Sequence, residues 1–257
     1  MSGQEQDAIE CPGAWLSTVA SRICLNVLSS ARARRETYVG EWIPEPLPEP
    51  TEWITGRCGT AIDPADRVTL DESINMAFLV MLESMTPAER VAFILHNVFR
   101  YSFAEVAEVV GRSPAACRQL ASSARRPVGA SPAPVAPIAG QADIVRDFKQ
   151  AWEAQDIVAL IRLLDPDATA IADSGSFANA VAGSIEGGSQ IARVCVDFVD
   201  RAPGLTVLER TVNGRPGLVA QRDGVTAAVL AFDIAGDRIK HLWVILNPVK
   251  LRPWITD

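Results

Sequence analysis

The chain has 257 residues, a net charge of −7, 48% apolar residues and 21% charged residues, values of a globular protein with room for two domains, each with its own core. No apolar run approaches the ~20 residues of a membrane span and no signal-peptide pattern opens the chain, so a cytoplasmic protein without membrane contact is expected. The five cysteines are scattered and form no CxxC pair, and the two histidines, His96 and His241, are far apart, so reduced thiols, no metal site and no cofactor are expected.

The acidic total hides a patchy sign. Four arginines and no acid lie between Cys11 and Arg35, and the same holds between Gly111 and Arg126. Acids collect at Glu36 to Glu52 and at Asp63 to Glu89. Local basic faces on an acidic body suit a DNA reader that works beside a larger partner.

In chain order, Pro12 to Ala31 has a helical apolar period through Trp15, Leu16, Val19, Ile23, Val27 and Leu28, with Arg32, Arg34 and Arg35 at the end where cations complement the dipole. Prolines at 44, 46, 48 and 50 forbid helix or central strand from Glu41 to Pro50. That segment reads as an extended linker with exposed aromatic and acidic side chains. Asp63-Pro64 opens a helix to about Ser84, and Thr86-Pro87-Ala88-Glu89 is a capping box with proline in the first turn, starting a helix to about Phe99.

Ser102 and Glu105 form a second capping box before Phe103, Val106, Ala107 and Val110, which share one helical face. Gly111 stops that helix; Ser113 and Pro114 start the next. The second helix hides Cys117, Leu120 and Ala124 and presents Arg118, Gln119, Ser122, Arg125 and Arg126. The pair reads as a helix-turn-helix. Its outer face offers arginines and amides with no carboxylate, the chemistry needed for a major groove.

Pro127 to Gly140 is an uncharged Pro/Ala/Gly tether and the clearest domain boundary. Beyond it, helices are expected at Asp143 to Ala154, Asp156 to Leu164 and about Ser189 to Asp200, with a short strand near Ala168 to Ala172. Strands follow near Leu205 to Val212, Gly217 to Gln221, Thr226 to Asp233 and Arg238 to Leu246, joined by turns at Asn213-Gly214, Asp223-Gly224 and Ala235-Gly236-Asp237. The fold class is thus multidomain: an all-α helix-turn-helix part, then an α+β cone with an interior cavity. Asp173, Asp223 and His241 are the candidate acid–base groups of such a cone, but they form no convincing pair, and no catalysis is expected.

Asp63 to Arg126 resembles the −35-reading domain (region 4) of extracytoplasmic-function sigma factors of the sigma-70 family. Trp42-Ile43-Pro44-Glu45-Pro46 resembles the WLPEP linker of the subgroup with a C-terminal SnoaL-like, NTF2-like domain, and Gly140 to Asp257 is similar to that domain. Asn247-Pro248-Val249-Lys250-Leu251 stands where the subgroup has NPDKL, and Asp173-Ser174-Gly175-Ser176 where it has DGGG. Pro12 to Arg35 looks like the last helix of the −10-reading domain (region 2), so the chain is expected to be N-terminally truncated relative to that class.

The resemblance implies five segments: a region 2 remnant (1–38), a proline-rich linker (39–62), region 4 (63–127), a tether (128–140) and the NTF2-like domain (141–257). It implies core RNA polymerase and promoter DNA as partners, with Arg118 and Gln119 on base edges and Arg112, Ser113, Arg125 and Arg126 on phosphates; Ser122 lies on the same face. It also implies an intramolecular contact between the linker (Trp42, Ile43, Pro44, Glu45, Pro46) and the domain's regulatory parts, Asp173, Gly175, Asn247, Pro248, Lys250 and Leu251. Two alternatives remain at this stage. One is a small-molecule-binding or isomerase-like cone with a vestigial DNA module; the other is a DNA-binding module that competes with intact sigma factors.

Overall fold

Helices and strands fall where caps and turn residues punctuate the sequence. The computed structural model describes residues 12–36, 41–48, 75–123, 138–175 and 183–254. They fall into two units, one holding 12–36 and 81–123, the other 41–48, 75–80, 138–175 and 183–254.

The first unit contains α1 (Pro12–Glu36), α3 (Pro87–Asn97), α4 (Phe103–Val110) and α5 (Pro114–Ser123); α2 (Met76–Glu83) precedes α3. Both capping boxes form: Thr86 accepts from the Glu89 amide, and Ser102 accepts from the Glu105 amide. The core joins Val91, Ala92 and Leu95 of α3 to Val106, Ala107 and Val109 of α4 and Cys117 of α5. Val109 was not among the face residues expected from the period; it is buried all the same, because α4 is covered on more than one side. The apolar period of α1 is only partly used. Leu25 and Leu28 pack on this core, whereas Trp15, Leu16, Ile23 and Val27 are half or more exposed.

The second unit contains α6 (Ile138–Glu153), α7 (Ile157–Leu163), β1 (Leu164–Asp173), β2 (Gly183–Glu186), α8 (Gly188–Arg201), β3 (Leu205–Val212), β4 (Arg215–Arg222), β5 (Val225–Ala235), β6 (Arg238–Ile245) and a single 3₁₀ turn, Arg252–Trp254. The six strands form one sheet in the order β2-β1-β6-β5-β4-β3. It is more than the meander of long hairpins expected from the turns. β1 leaves α7 without a loop, pairs at Leu164 with Ile239, bulges through Pro166, which has no amide to donate, and then runs parallel to β6 from Thr169 to Asp173. The short β2 pairs with β1. The β3–β4 and β4–β5 turns hold both central residues at positive φ: Asn213 at 48° and Gly214 at 70°, Asp223 at 52° and Gly224 at 78°. These are the primed turns whose twist matches a hairpin.

Strands β4 and β5 are covered on both faces, and their middle stretches, Gly217 to Ala220 of β4 and Ala228 to Phe232 of β5, are continuously buried and apolar. Successive residues alternate between two cores. Ala170, Leu218, Ala220, Ala228, Leu230 and Leu242 join Phe148, Trp152 and Ile191 of the helices. Val219, Val229, Ala231, Trp243 and Ile245 join Val212, Ile43, Met76, Leu251 and Trp254 on the opposite face. At Gly217 even a methyl group has no room: a Cβ there would stand 2.6 Å from Val212 Cγ2 and 2.7 Å from the Leu230 carbonyl oxygen. Gly217→Ala is therefore expected to destabilise the second unit by about 1–3 kcal/mol through forced backbone shifts, to be read as a lowered melting temperature of that unit.

Candidate nucleic-acid interface and linker clamp

The helix-turn-helix geometry rests on its punctuation. Gly111 ends α4 at φ 71° and ψ 35°, and its amide donates to the Ala107 carbonyl. Across the turn the Ser113 hydroxyl accepts from the Ala116 amide at 3.2 Å, starting α5. Hydrogen bonds from the Ser102 hydroxyl and amide hold the Glu105 carboxyl below the usual carboxylate range. That cap is complete above the ordinary carboxylate pKa and is lost as the pH falls through the lowered one.

Cys117 is fully buried and Ala121 nearly so, while Arg112, Ser113, Arg118, Gln119 and Ser122 are exposed. The Arg118 guanidinium lies 5.3 Å from the centroid of the Phe103 ring, which also stacks on His96 at 3.9 Å and packs against the helical core. His96 Nδ1 is 2.9 Å from the Tyr101 carbonyl oxygen. Arg118 thus lies against an aromatic ring, an arrangement that leaves its charge available. Arg125, Arg126 and Ala124 lie outside the described residues.

The second assembly surrounds Glu41 to Pro48. This segment is extended, with Pro44, Pro46 and Pro48 buried and Glu45 and Leu47 exposed. Trp42 is not fully exposed, as its sequence context suggests, but half-buried. The Lys250 ammonium sits 3.5 Å from its ring centroid. That ammonium is itself 3% exposed and donates to Asp173 Oδ2 at 2.7 Å and to the Ile43 carbonyl. Asp173 Oδ2 also accepts from the Ile43 amide at 3.2 Å, and Oδ1 from Gly175 at 3.1 Å. A buried lysine and a buried aspartate therefore grip both polar groups of one linker residue.

The Asp173 loop and the 247–251 turn interlock. The Asp173 carbonyl accepts from the amides of Leu246 (2.7 Å) and Asn247 (3.0 Å). Gly175, at φ 63°, lies so close to the Asn247 side chain that a Cβ would approach it to 3.0 Å. The Asn247 carbonyl caps the turn by accepting from Lys250 and Leu251, and its Oδ1 accepts from the Val249 amide. Pro248 and Val249 are exposed and Leu251 is buried. Valine in place of the subgroup's usual aspartate thus falls at a position 61% exposed to solvent.

Two residues that hold the linker were not singled out in the sequence. Asn213 accepts from the Leu47 amide, its own amide donates to the Leu47 carbonyl at 2.8 Å, and its Nδ2 reaches the Glu45 carbonyl at 3.4 Å. Trp254 Nε1 donates to the Pro46 carbonyl at 2.7 Å. Pro48 forms a bridge with Val212 at the end of β3. Asn213 already had a complete explanation as a turn residue, which concealed its second role. The only signal for Trp254 was a tryptophan shortly after the 247–251 motif.

None of the three candidate acid–base residues stands inside the cone. Asp173 is committed to the linker, Asp223 is on an exposed turn, and His241 is exposed, 2.7 Å from Thr169 Oγ1 and stacked on Trp243. Among the described residues no cluster of His, Cys, Asp or Glu could hold a metal, and no helix is long and apolar enough to cross a membrane.

Residues 75–126 match the family described as sigma-70, region 4. The ECF RNA polymerase sigma factor SigJ of Mycobacterium tuberculosis is 38% identical over 252 residues, which span 93% of this chain and 78% of that protein. The chain belongs to the ECF RNA polymerase sigma factors. The probable ECF sigma factor SigI of the same organism is 33% identical over 249 residues, again 93% of this chain and 78% of its own. The crystal structure of SigJ matches this sigma factor with a TM-score of 0.73 and 34% identity, covering 97% of this chain and 85% of the other. The helix-turn-helix is therefore the sigma factor's region 4, and the sheet domain that follows it is the SnoaL-like extension.

Proposed function

We propose that this sigma factor works in the cytoplasm, joins core RNA polymerase, and reads the −35 element of its promoters with α5. Arg118 and Gln119 meet base edges; Arg112, Ser113, Arg125 and Arg126 take phosphates, with Ser122 on the same face. It catalyses no reaction of its own. The linker docked on the C-terminal domain acts as an internal regulator, withholding from polymerase a segment that connects the DNA-reading parts. The observation that carries the reading is the clamp at Ile43, where a buried ion pair is spent on the backbone of a proline-rich linker. A sheet domain needs no such arrangement for its own stability, since buried pairs seldom stabilise more than apolar packing would.

The test is transcription in vitro from the genome of origin, with core polymerase and the full chain and with start sites mapped. A set of starts sharing one −35 sequence is the expected result. Polymerase that starts no transcripts beyond those of core alone would overturn the proposal.

A further inference from the structure

The face of the sheet turned away from the linker encloses a cavity of about 350 Å³ against α6 and α8. Small-molecule sites span roughly 300–1,000 Å³. Its walls include Trp152, Ala170, Ile191, Phe198, Leu230 and Leu242. The Trp152 indole N–H is already used, donating to the Cys195 carbonyl at 2.7 Å. Cys195 also lines the wall, and loss of hydration pushes its thiol up to about 12, so it stays protonated and inert. Among the described residues lining the cavity there is no carboxylate and no imidazole. The chamber is built to hold rather than to transform.

Its charge comes from two arginines. Arg201 ends α8, and β3 begins four residues later at Leu205, whose cross-strand partner is Arg222. Both guanidinium residues line the cavity and both are exposed, which puts them at its mouth. Arg201 makes a loose, solvent-exposed pairing with Asp197 at 3.9 Å. A mostly apolar, half-open chamber with two cations among its lining complements an amphipathic anion.

We propose that this cavity binds a small apolar monocarboxylate, its hydrocarbon part among Trp152, Phe198 and Leu230 and its carboxylate at Arg201 and Arg222. The site uses no side chain of the linker clamp and none of α5, although the cavity wall reaches Leu246, whose amide donates to the Asp173 carbonyl.

The experiment is calorimetric titration of the full chain with hexanoate, octanoate and decanoate, each below its micelle concentration, beside decanol and decyltrimethylammonium. Affinity is expected to rise about fourfold per added methylene and to be at least tenfold weaker for decanol and for the cation. Arg222→Ala is expected to lower decanoate affinity about tenfold and leave decanol unchanged. Val194→Trp, which fills the chamber from α8, is expected to abolish binding of both. Should Val194→Trp not fold, the Arg222 variant and the chain-length series still decide. The proposal is overturned by equal binding of decanoate and the cation, by no dependence on chain length, by no effect of Arg222→Ala on decanoate affinity, by decanoate affinity retained in folded Val194→Trp, or by no heat from any of the probes.

Discussion

Asp173→Ala is expected to free the linker and to destabilise the second unit by about 3–5 kcal/mol, the penalty for leaving a buried charge without its partner. Lys250 is the charge in question: it is 3% exposed and pairs with Asp173 Oδ2 at 2.7 Å. The same substitution removes the acceptor of the Ile43 amide. Two measurements follow. Urea denaturation reads the stability, and hydrogen exchange at the Ile43 amide reads the linker. Loss of Ile43 protection under conditions where the unit is still folded is the expected outcome; unchanged protection would mean the clamp does not hold the linker. Adding Lys250→Met to the alanine variant should recover part of the stability, because an apolar side chain can occupy the buried position without a counter-charge, but not the Ile43 protection. A double variant no more stable than Asp173→Ala would show that the ammonium is not the source of the loss.

Arg118→Ala is expected to lower affinity for the cognate −35 element about 5- to 150-fold, corresponding to the ~1–3 kcal/mol of one bidentate base contact. The loss should be confined to one base position, as expected for a bidentate contact to a single base edge. Binding to a promoter series with single base changes, measured at several salt concentrations, separates the roles. A uniform loss across sequences, with a salt slope reduced by about one, would reassign Arg118 to a phosphate. No loss at all would remove it from the interface.

Much of this structure was legible because local chemistry decides it. Thr86 with Glu89, Ser102 with Glu105, and Gly111 in the left-handed region each fix a helix boundary from a few neighbouring atoms. The Asn-Gly and Asp-Gly turns fix hairpin registers in the same way. What escaped is non-local. β2 is four residues long, too short to show a period, and exists only because β1 offers an edge. The parallel pairing of β1 with β6 joins residues about seventy positions apart, and nothing near Ala170 announces Leu242. The α1 period was legible as a helix but not as a surface: periodicity finds the apolar side, while burial depends on what packs there, and Trp15 and Ile23 remain exposed. At the clamp, the resemblance supplied Asp173 and Lys250, but that their charges meet the two polar groups of Ile43 is a property of the folded sheet alone.

The linker's alternating prolines bear on how readily it exchanges between positions. Pro44, Pro46 and Pro48 are buried, and the backbone groups of Ile43, Pro46 and Leu47 carry the hydrogen bonds to Asp173, Lys250, Trp254 and Asn213. Immobilising an ordinary residue costs roughly 1–2 kcal/mol of backbone entropy, but a proline has its φ fixed before it docks. On the release proposed above, such a segment would leave the sheet almost as straight as it lay there and return with little to reorganise. Under that proposal seating and release would differ chiefly in the contacts made, so a competitor offering the same backbone groups equivalent partners would need little extra energy to draw the linker away.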